Sequence, residues 1–137
     1  MKHILFICTG NSARSQMAEA LLRYLGGEDY EVYSAGTQPK AKVNPFVIEV
    51  LQERGIPTDG LYPKSVNMYI NYEIDLVVTV CDRAKQTCPH FPGAKKMQHW
   101  SITDPATFHG SNEEILASFR EIRDEIERRI KTNILET

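Results

Sequence analysis

The sequence predicts an α/β fold built on one parallel sheet, and three observations support this prediction. Short apolar runs alternate with helical patterns along all 137 residues. The run at 75–81 (DLVVTVC) is apolar enough for burial on both faces, as is typical of parallel sheets. No repeat, low-complexity tract or long linker interrupts the chain, so residues 1–137 are predicted to form a single domain.

The first half of the chain contains two strand–helix pairs. Residues 3–8 (HILFIC) read as a continuous apolar strand, and residues 15–25 place apolar side chains at helical spacing before two glycines. Residues 30–35 (YEVYSA) form the second predicted strand. The helix predicted at 45–54 has Asn44 as its cap and a proline at its first position.

The second half continues the alternation. After the strand at 75–81 come a weaker strand at 95–100 (KKMQHW) and a long helix at 112–132. Ser111 and Glu114 form a capping box for this helix. Its apolar stripe is predicted to face the core and its charged residues to face solvent.

The alternation also predicts a topology. It implies right-handed crossovers and helices on both faces of the sheet. Four strands fit the order 2-1-3-4 of a small flavodoxin-like sheet, in which ligands bind at the carboxyl ends of the strands. The strands at 3–8 and 75–81 both end in a cysteine. We therefore expect Cys8 and Cys81 to lie on neighbouring strands at the same edge of the sheet.

The composition argues against several classes of protein. A net charge of −2 gives no basic excess for binding nucleic acid or an anionic membrane. No apolar segment approaches the roughly 20 residues of a membrane span, and the apolar start is too short for a signal peptide. We therefore expect a cytoplasmic protein, and a monomer by default. Three cysteines, an odd number, argue against a structural disulfide framework.

The segment CTGNSAR at residues 8–14 has the pattern of an anion-binding loop. It joins a strand to a helix, so its amide groups can surround an anion while the helix N-terminus adds partial positive charge. The planar guanidinium of Arg14 fits two oxygens of a tetrahedral oxyanion. We expect these groups to lower the pKa of Cys8. The predicted oxyanion-binding residues are Thr9, Gly10, Asn11, Ser12, Ala13, Arg14 and Ser15.

This loop resembles the phosphate-binding loop of the low-molecular-weight tyrosine phosphatase superfamily. The resemblance covers nearly the whole chain and includes SAGT after the second strand and the late Asp104-Pro105 pair. It implies that Cys8 is the nucleophile, that Asp104 is the general acid and that the Ser15 hydroxyl supports the thiolate. Without the resemblance, Asp104 reads as a turn residue before proline and Ser15 as a helix cap.

A second cysteine pair lies in the segment VCDRAKQTC. If residues 82–88 are helical, Cys81 and Cys88 share a face but are separated by a rise of about 10.5 Å. A disulfide needs Cα atoms within about 6.8 Å, so this pair would bond only if the segment unwinds. Metal binding by these cysteines with His90 and His99 is the other interpretation, although the spacing matches no common zinc pattern.

This second segment resembles the redox helix of thioredoxin-coupled arsenate reductases, a branch of the same superfamily. The resemblance implies arsenate as substrate, with phosphate or sulfate as competing oxyanions, and thioredoxin as reductant. It also implies a relay in which Cys8 attacks arsenate, Cys81 attacks Cys8, and Cys88 attacks Cys81. No organic or metal redox cofactor is required, because the electrons come from thiols.

Two alternatives remain beside arsenate reduction: hydrolysis of phosphomonoesters by a tyrosine phosphatase, and a non-catalytic anion-sensing or thiol-switch module. Phosphatases of this fold commonly have a second cysteine where this chain has Ala13, and an aromatic residue where it has Ala106. These differences favour the reductase and leave room for residual phosphatase activity. Tyr62, Tyr69 and Tyr72 are predicted to be half-buried packing residues rather than walls of a phosphotyrosine slot.

Some reductases of this branch bind a potassium ion beside the loop through an Asn, a Glu, a Ser and an Asp. Asn11, Glu19 and Ser34 match the first three of these residues. The fourth falls at or near Val66, so the resemblance implies only a partial potassium site.

Overall fold

The computed structural model describes residues 1–135, and its centre is one parallel four-stranded sheet. The strands, named in chain order, are β1 (Lys2–Cys8), β2 (Tyr30–Gly36), β3 (Ile74–Thr79) and β4 (Ala94–His99). Their order in the sheet is β2-β1-β3-β4, and all three pairings are parallel. The predicted order 2-1-3-4 is therefore confirmed.

In the part of the chain that the structure describes, four α-helices accompany the sheet: α1 (Arg14–Gly26), α2 (Pro45–Gln52), α3 (Asp82–Thr87) and α4 (Asn112–Ile130). The predicted caps are present, since the Asn44 side chain accepts from Phe46 N at 2.8 Å and the Ser111–Glu114 capping box is complete. A π-helical turn over Lys131–Leu135 continues α4 beyond the predicted end. Within residues 1–135, no helix is long and apolar enough to cross a membrane.

The central strand β1 is covered on both faces. Five consecutive residues of this strand, from Ile4 to Cys8, are buried. Because successive strand residues point to opposite faces, this pattern requires packing above and below the sheet. The apolar stripe of α4 contributes to the core through Phe119, Ile122, Ile126 and Ile130.

One charged residue of α4 departs from the predicted solvent-facing arrangement. Arg123 is only 7% exposed. Its guanidinium donates to the backbone oxygen of Val50 at 2.8 Å and lies 3.2 Å from Glu53 Oε1. Arg123 thus joins α4 to the end of α2 from inside the protein.

Strand β3 ends two residues earlier than the sequence pattern suggested, at Thr79. Cys81 instead precedes α3 as its cap, and its Sγ accepts a hydrogen bond from Ala84 N at 3.3 Å. The second cysteine therefore lies at the junction between a strand and a short helix.

Candidate active site

The loop at residues 9–13 is held from outside by the backbone of a neighbouring segment. The carbonyl oxygens of Cys8, Thr9, Gly10 and Ser12 accept hydrogen bonds from the backbone amides of Thr37, Gln38, Lys40 and Asn44 at 2.8–3.2 Å. With these carbonyl groups bonded to the outer segment, the remaining amide groups of the loop can face an anion. Helix α1 begins directly afterwards, at Arg14.

Asn11 is the conformational centre of this loop. Its φ of 49° lies in the left-handed region, which asparagine tolerates better than most residues. In this conformation its backbone N–H points at Cys8 Sγ, 3.2 Å away. Its side-chain amide donates to Ser15 Oγ at 2.7 Å and to Ser34 Oγ at 3.0 Å.

The Cys8 thiol lies at the base of the loop and is 3% exposed. Its Sγ is 2.8 Å from Ser15 Oγ, so the serine supports the sulfur, while no side-chain cap is found at the start of α1. Burial raises the pKa of Cys8 above its ordinary value, although hydrogen bonds from Ser15 and Asn11 lower it. The predicted lowering of this pKa is therefore wrong, because the end of a central strand buries the sulfur more deeply than the loop pattern indicated.

Arg14 and Asp104 lie beside each other at the same site. The Arg14 guanidinium donates to Ile102 O at 2.9 Å and lies 3.7 Å from Asp104 Oδ1. Asp104 also accepts from Ala106 N at 2.9 Å, which caps a single 3₁₀ turn over Pro105–Thr107. The carboxylate therefore has the turn-capping role, and its 51% exposed side chain still borders the site.

These groups surround one cavity of about 540 Å³ at the carboxyl edge of the sheet. Cys8, Arg14, Cys81 and Asp104 line it. The Sγ atom of Cys81 lies 3.3 Å from Thr9 Oγ1, which places it next to the loop. The expectation that Cys8 and Cys81 share one edge of the sheet is confirmed.

Cys88 lies at the far end of α3 and is half-buried. Burial raises the pKa of this thiol as well. All three cysteines are free, and the six helical residues of α3 separate Cys81 from Cys88. The structure therefore has an intact α3 between these two cysteines.

His99 anchors the start of α3 to the end of β4. Its Nε2 lies 2.7 Å from Asp82 Oδ1, and its Nδ1 lies 2.8 Å from Thr79 Oγ1. Both ring nitrogens of this histidine thus have protein partners. Among the residues that the structure describes, no three Cys, His, Asp or Glu side chains are grouped as metal ligands.

Two of the three tyrosines considered in the sequence pack together away from the cavity. Tyr69 and Tyr72 have ring centroids 5.0 Å apart, and both contact Tyr33. Tyr62 lies under the ammonium group of Lys64, 4.4 Å from its ring centroid. Tyr69 is buried, as a packing role predicts, whereas Tyr62 and Tyr72 are 54% and 43% exposed, so the prediction that they are half-buried is wrong for these two.

Sequence reasoning missed several residues around the loop. Gly36 packs against it so closely that a Cβ atom would lie 2.5 Å from Thr9 O. Gln16 is fully buried and donates to both oxygens of Asn11 at 2.9 and 3.1 Å. The SAGT motif, which contains Gly36, could have pointed to this glycine. No sequence feature points to Gln16 or Lys64, because their partners come together only in the folded loop.

Comparison with known families agrees with this geometry. The sequence matches the family described as "Low molecular weight phosphotyrosine protein phosphatase" over residues 3–136. The chain belongs to this family.

Within the family, several curated arsenate reductases match this chain over almost its full length. The arsenate reductase of Halalkalibacterium halodurans is 43% identical over 131 residues, covering 96% of this chain and 94% of the relative. The arsenate reductase of Bacillus subtilis is 41% identical over 130 residues, covering 95% of this chain and 93% of the relative.

Solved structures that resemble this chain are also described as arsenate reductases. A structure described as an arsenate reductase in the phosphate-binding state superposes with a TM-score of 0.84 at 27% identity, covering 99% of this chain and 98% of the other. A thioredoxin-dependent arsenate reductase from Corynebacterium glutamicum superposes with a TM-score of 0.70 at 31% identity, covering 100% of this chain and 64% of the other.

Proposed function

We propose that this protein reduces arsenate to arsenite by a relay of three cysteines, with thioredoxin as the final reductant. The main support is that Cys8 and Cys81 line the same cavity as Arg14, while Cys88 ends the short helix that starts beside Cys81. Relatives and solved structures named as arsenate reductases, one of them thioredoxin-dependent, agree with this reading.

In the first step, the Cys8 thiolate attacks the arsenic atom of arsenate. A sulfur–arsenic bond forms and one arsenic–oxygen bond breaks, and Asp104 supplies the proton with which this oxygen leaves as water. The loop amides and Arg14 hold the other oxygens of the anion. The contacts of Ser15 and Asn11 with Cys8 Sγ orient the nucleophile for this attack.

In the second step, the Cys81 thiolate attacks Cys8 Sγ. A disulfide forms between the two cysteines, and the electron pair of the sulfur–arsenic bond moves to arsenic. Arsenic is thereby reduced from the +5 to the +3 state and leaves as arsenite, while two thiols are oxidised. The short separation between Cys81 and the loop residue Thr9 supports this step.

In the third step, Cys88 attacks Cys81 Sγ, which releases Cys8 as a thiolate and leaves a Cys81–Cys88 disulfide. This step needs α3 to unwind, because the intact helix holds the two cysteines too far apart. Reduced thioredoxin then restores both thiols and becomes oxidised. In sum, arsenate and a dithiol give arsenite, a disulfide and water.

No organic or metal redox cofactor enters this scheme, since thiols provide both electrons. We also propose that phosphate and sulfate compete for the same loop, and that the protein acts as a monomer in the reducing cytoplasm. The alternative function, hydrolysis of phosphomonoesters, is favoured by the family and would need only Cys8, Arg14 and Asp104. Ala13 and Ala106 line the cavity and leave no aromatic wall there for a phosphotyrosine ring.

A coupled assay tests the proposal. Purified protein is given arsenate, thioredoxin, thioredoxin reductase and NADPH, and the loss of NADPH absorbance is followed. We expect arsenate-dependent oxidation for the wild type and about one arsenite per enzyme for Cys88→Ser, which then stalls. The absence of arsenate-dependent oxidation with the wild type would overturn the proposal.

The Cys88→Ser variant also separates the two functions. It should retain whatever hydrolysis of p-nitrophenyl phosphate the wild type shows, whereas Cys8→Ser should lose both activities. Steady multiple turnover of arsenate by Cys88→Ser with thioredoxin would contradict the relay.

A further inference from the structure

We propose that Lys64 acts as a built-in cation that positions the Cys8 loop, in the place that the partial ligand set of Asn11, Glu19 and Ser34 would offer to potassium. This inference refines the proposed function by naming a positioning residue for its nucleophile. Four observations support it, and they concern the charge of Glu19, the environment of Lys64, the fit of a metal ion and the connection to Cys8.

Glu19 is a carboxylate in the interior of the protein, 2% exposed. A buried carboxylate needs charged or hydrogen-bonding partners, because removal from water is costly. Its Oε1 accepts from Ser34 Oγ at 2.6 Å and lies 3.6 Å from Lys64 Nζ. Its Oε2 pairs with Arg23 at 2.7 Å. The protein's own cations therefore balance this charge.

Lys64 is itself 8% exposed, although lysine is rarely buried. Its ammonium donates to Tyr62 O at 2.6 Å and lies over the Tyr62 ring, 4.4 Å from the centroid. Burial lowers the pKa of Lys64, and the nearby Glu19 carboxylate opposes this shift. A carboxylate, a carbonyl oxygen and an aromatic face thus surround the positive group.

The residues present do not fit a potassium ion. Such an ion needs several oxygen ligands, and the Lys64 ammonium already lies beside the Glu19 carboxylate and the Tyr62 carbonyl. At the position where the resemblance implies an acid, Val66 is a buried apolar side chain. The site therefore has its positive charge from lysine, and no step of the proposed mechanism involves potassium.

Lys64 reaches the nucleophile through two routes that meet at Asn11. Its backbone N–H donates to Asn11 Oδ1 at 2.8 Å. Its ammonium acts through Glu19, whose carboxylate accepts a hydrogen bond from the Ser34 hydroxyl and so leaves the Ser34 oxygen free to accept from Asn11 Nδ2.

Asn11 connects Ser34 to the sulfur of Cys8 through Ser15. The amide that bonds Ser34 also donates to Ser15 Oγ, which lies 2.8 Å from Cys8 Sγ. If the lysine charge is removed, Glu19 keeps only Arg23 as a counter-charge, and the hydrogen bond that orients Ser34 toward Asn11 is less firmly held. We therefore expect the reactivity of Cys8 to depend on Lys64.

Two substitutions test this role. Lys64→Ala removes the ammonium and leaves space beside Glu19, whereas Lys64→Met removes the charge and fills the space. The rate of Cys8 alkylation by iodoacetamide, followed by mass spectrometry, is compared in potassium chloride and tetramethylammonium chloride at equal ionic strength. Arsenate turnover is measured in parallel, and Lys96→Ala, an exposed lysine of β4, is the control.

In tetramethylammonium chloride, Cys8 should be alkylated about tenfold more slowly in both Lys64 variants than in the wild type, and arsenate turnover should fall by the same factor. Losses of this size are typical when a residue that supports a functional side chain from behind is removed. Potassium should restore Lys64→Ala, but not Lys64→Met, and should leave the wild type and Lys96→Ala unchanged. A structural role alone would give loss without this selective rescue.

Three results would overturn the proposal: unchanged alkylation in folded Lys64→Ala, loss without rescue by potassium, or a wild type that itself responds to potassium. If Lys64→Ala is unfolded in tetramethylammonium chloride, the test becomes its thermal unfolding midpoint in the two salts. Potassium chloride should raise this midpoint for Lys64→Ala and for none of the other proteins. The alkylation assay needs no arsenate chemistry, so a failure of the proposed function is seen separately as a wild type that does not reduce arsenate.

Discussion

The Sγ atom of Cys81 lies 3.3 Å from the hydroxyl oxygen of Thr9, the residue that follows Cys8. The two residues are far apart in sequence but are brought together because β1 and β3 are neighbours in the sheet. This contact links the thiol at the start of α3 to the proposed oxyanion-binding loop. In the proposed relay it holds the second thiol beside the first before arsenate binds.

Replacing Thr9 with Val should therefore slow the second step selectively. The methyl group preserves the shape but removes the hydrogen bond to Cys81, so we expect the Cys8–Cys81 disulfide to form a few-fold more slowly, about the effect of one lost hydrogen bond. Quenched single turnovers of Cys88→Ser and of Cys88→Ser/Thr9→Val, analysed by peptide mapping, measure this rate. Cys88→Ser/Thr103→Val, changed at an exposed position, is the control, and equal rates for all three proteins would contradict the prediction.

Replacing Asp104 with Asn tests the general acid without removing the turn cap, because the amide oxygen can still accept from Ala106 N. We expect kcat/KM for arsenate to fall about 100-fold, since a neutral amide cannot protonate the leaving oxygen. Circular dichroism should be unchanged. A loss of less than about threefold would show that Asp104 is not the acid.

The reactivity of Cys88 should increase with pH well beyond neutrality. Burial raises the pKa of this thiol, and only the thiolate attacks, so the reactive form is the one that appears as pH rises. In a Cys8→Ser/Cys81→Ser variant, alkylation of Cys88 should accelerate about tenfold per pH unit between pH 7 and 9. A rate that levels off below pH 8 would indicate a lowered pKa instead.

Replacing Gly36 with Ala should damage the loop from behind. The new Cβ atom would lie 2.5 Å from Thr9 O and 3.0 Å from Asn11 Cβ, and the first of these is backbone that cannot turn away. We expect a loss of about 100-fold in kcat/KM, as for a misplacement of about 1 Å at an active site. Gly55→Ala, with a φ of 69° and open space around it, should lower the denaturation midpoint yet retain activity.

Replacing Arg123 with Met should destabilise the protein without touching the site. Val50 O would lose its buried donor, which costs about 1–3 kcal/mol of unfolding free energy. Arg120→Met is the matched control, because this neighbouring arginine pairs with the same Glu53 at the surface and should have a much smaller effect. Urea denaturation of both variants measures the difference, and equal midpoints would contradict the buried role.

The parts of the protein predicted from sequence are those encoded by local patterns. The strand ending at Cys8, the caps Asn44 and Ser111, and the shared edge of Cys8 and Cys81 follow from periodicity, capping chemistry and parallel topology. These signals involve neighbours in sequence or general rules of connection.

The parts that could not be predicted depend on packing between distant segments. Lys64 and Arg123 look like ordinary surface charges in the sequence, and only the folded chain buries them beside Glu19 and Val50. The pKa of Cys8 was expected to shift in the opposite direction for the same reason, because the extent of desolvation is a property of the tertiary structure.

The six-residue length of α3 affects which form of the enzyme its reductant can bind. A helix this short is not stable alone, and its first turn depends on contacts such as the one between Asp82 and His99. Under the proposed relay, formation of the Cys81–Cys88 disulfide is therefore enough to replace the helix with a loop. Thioredoxin that recognises the unwound form would bind only enzyme that carries the Cys81–Cys88 disulfide, so reduced enzyme would not compete for it.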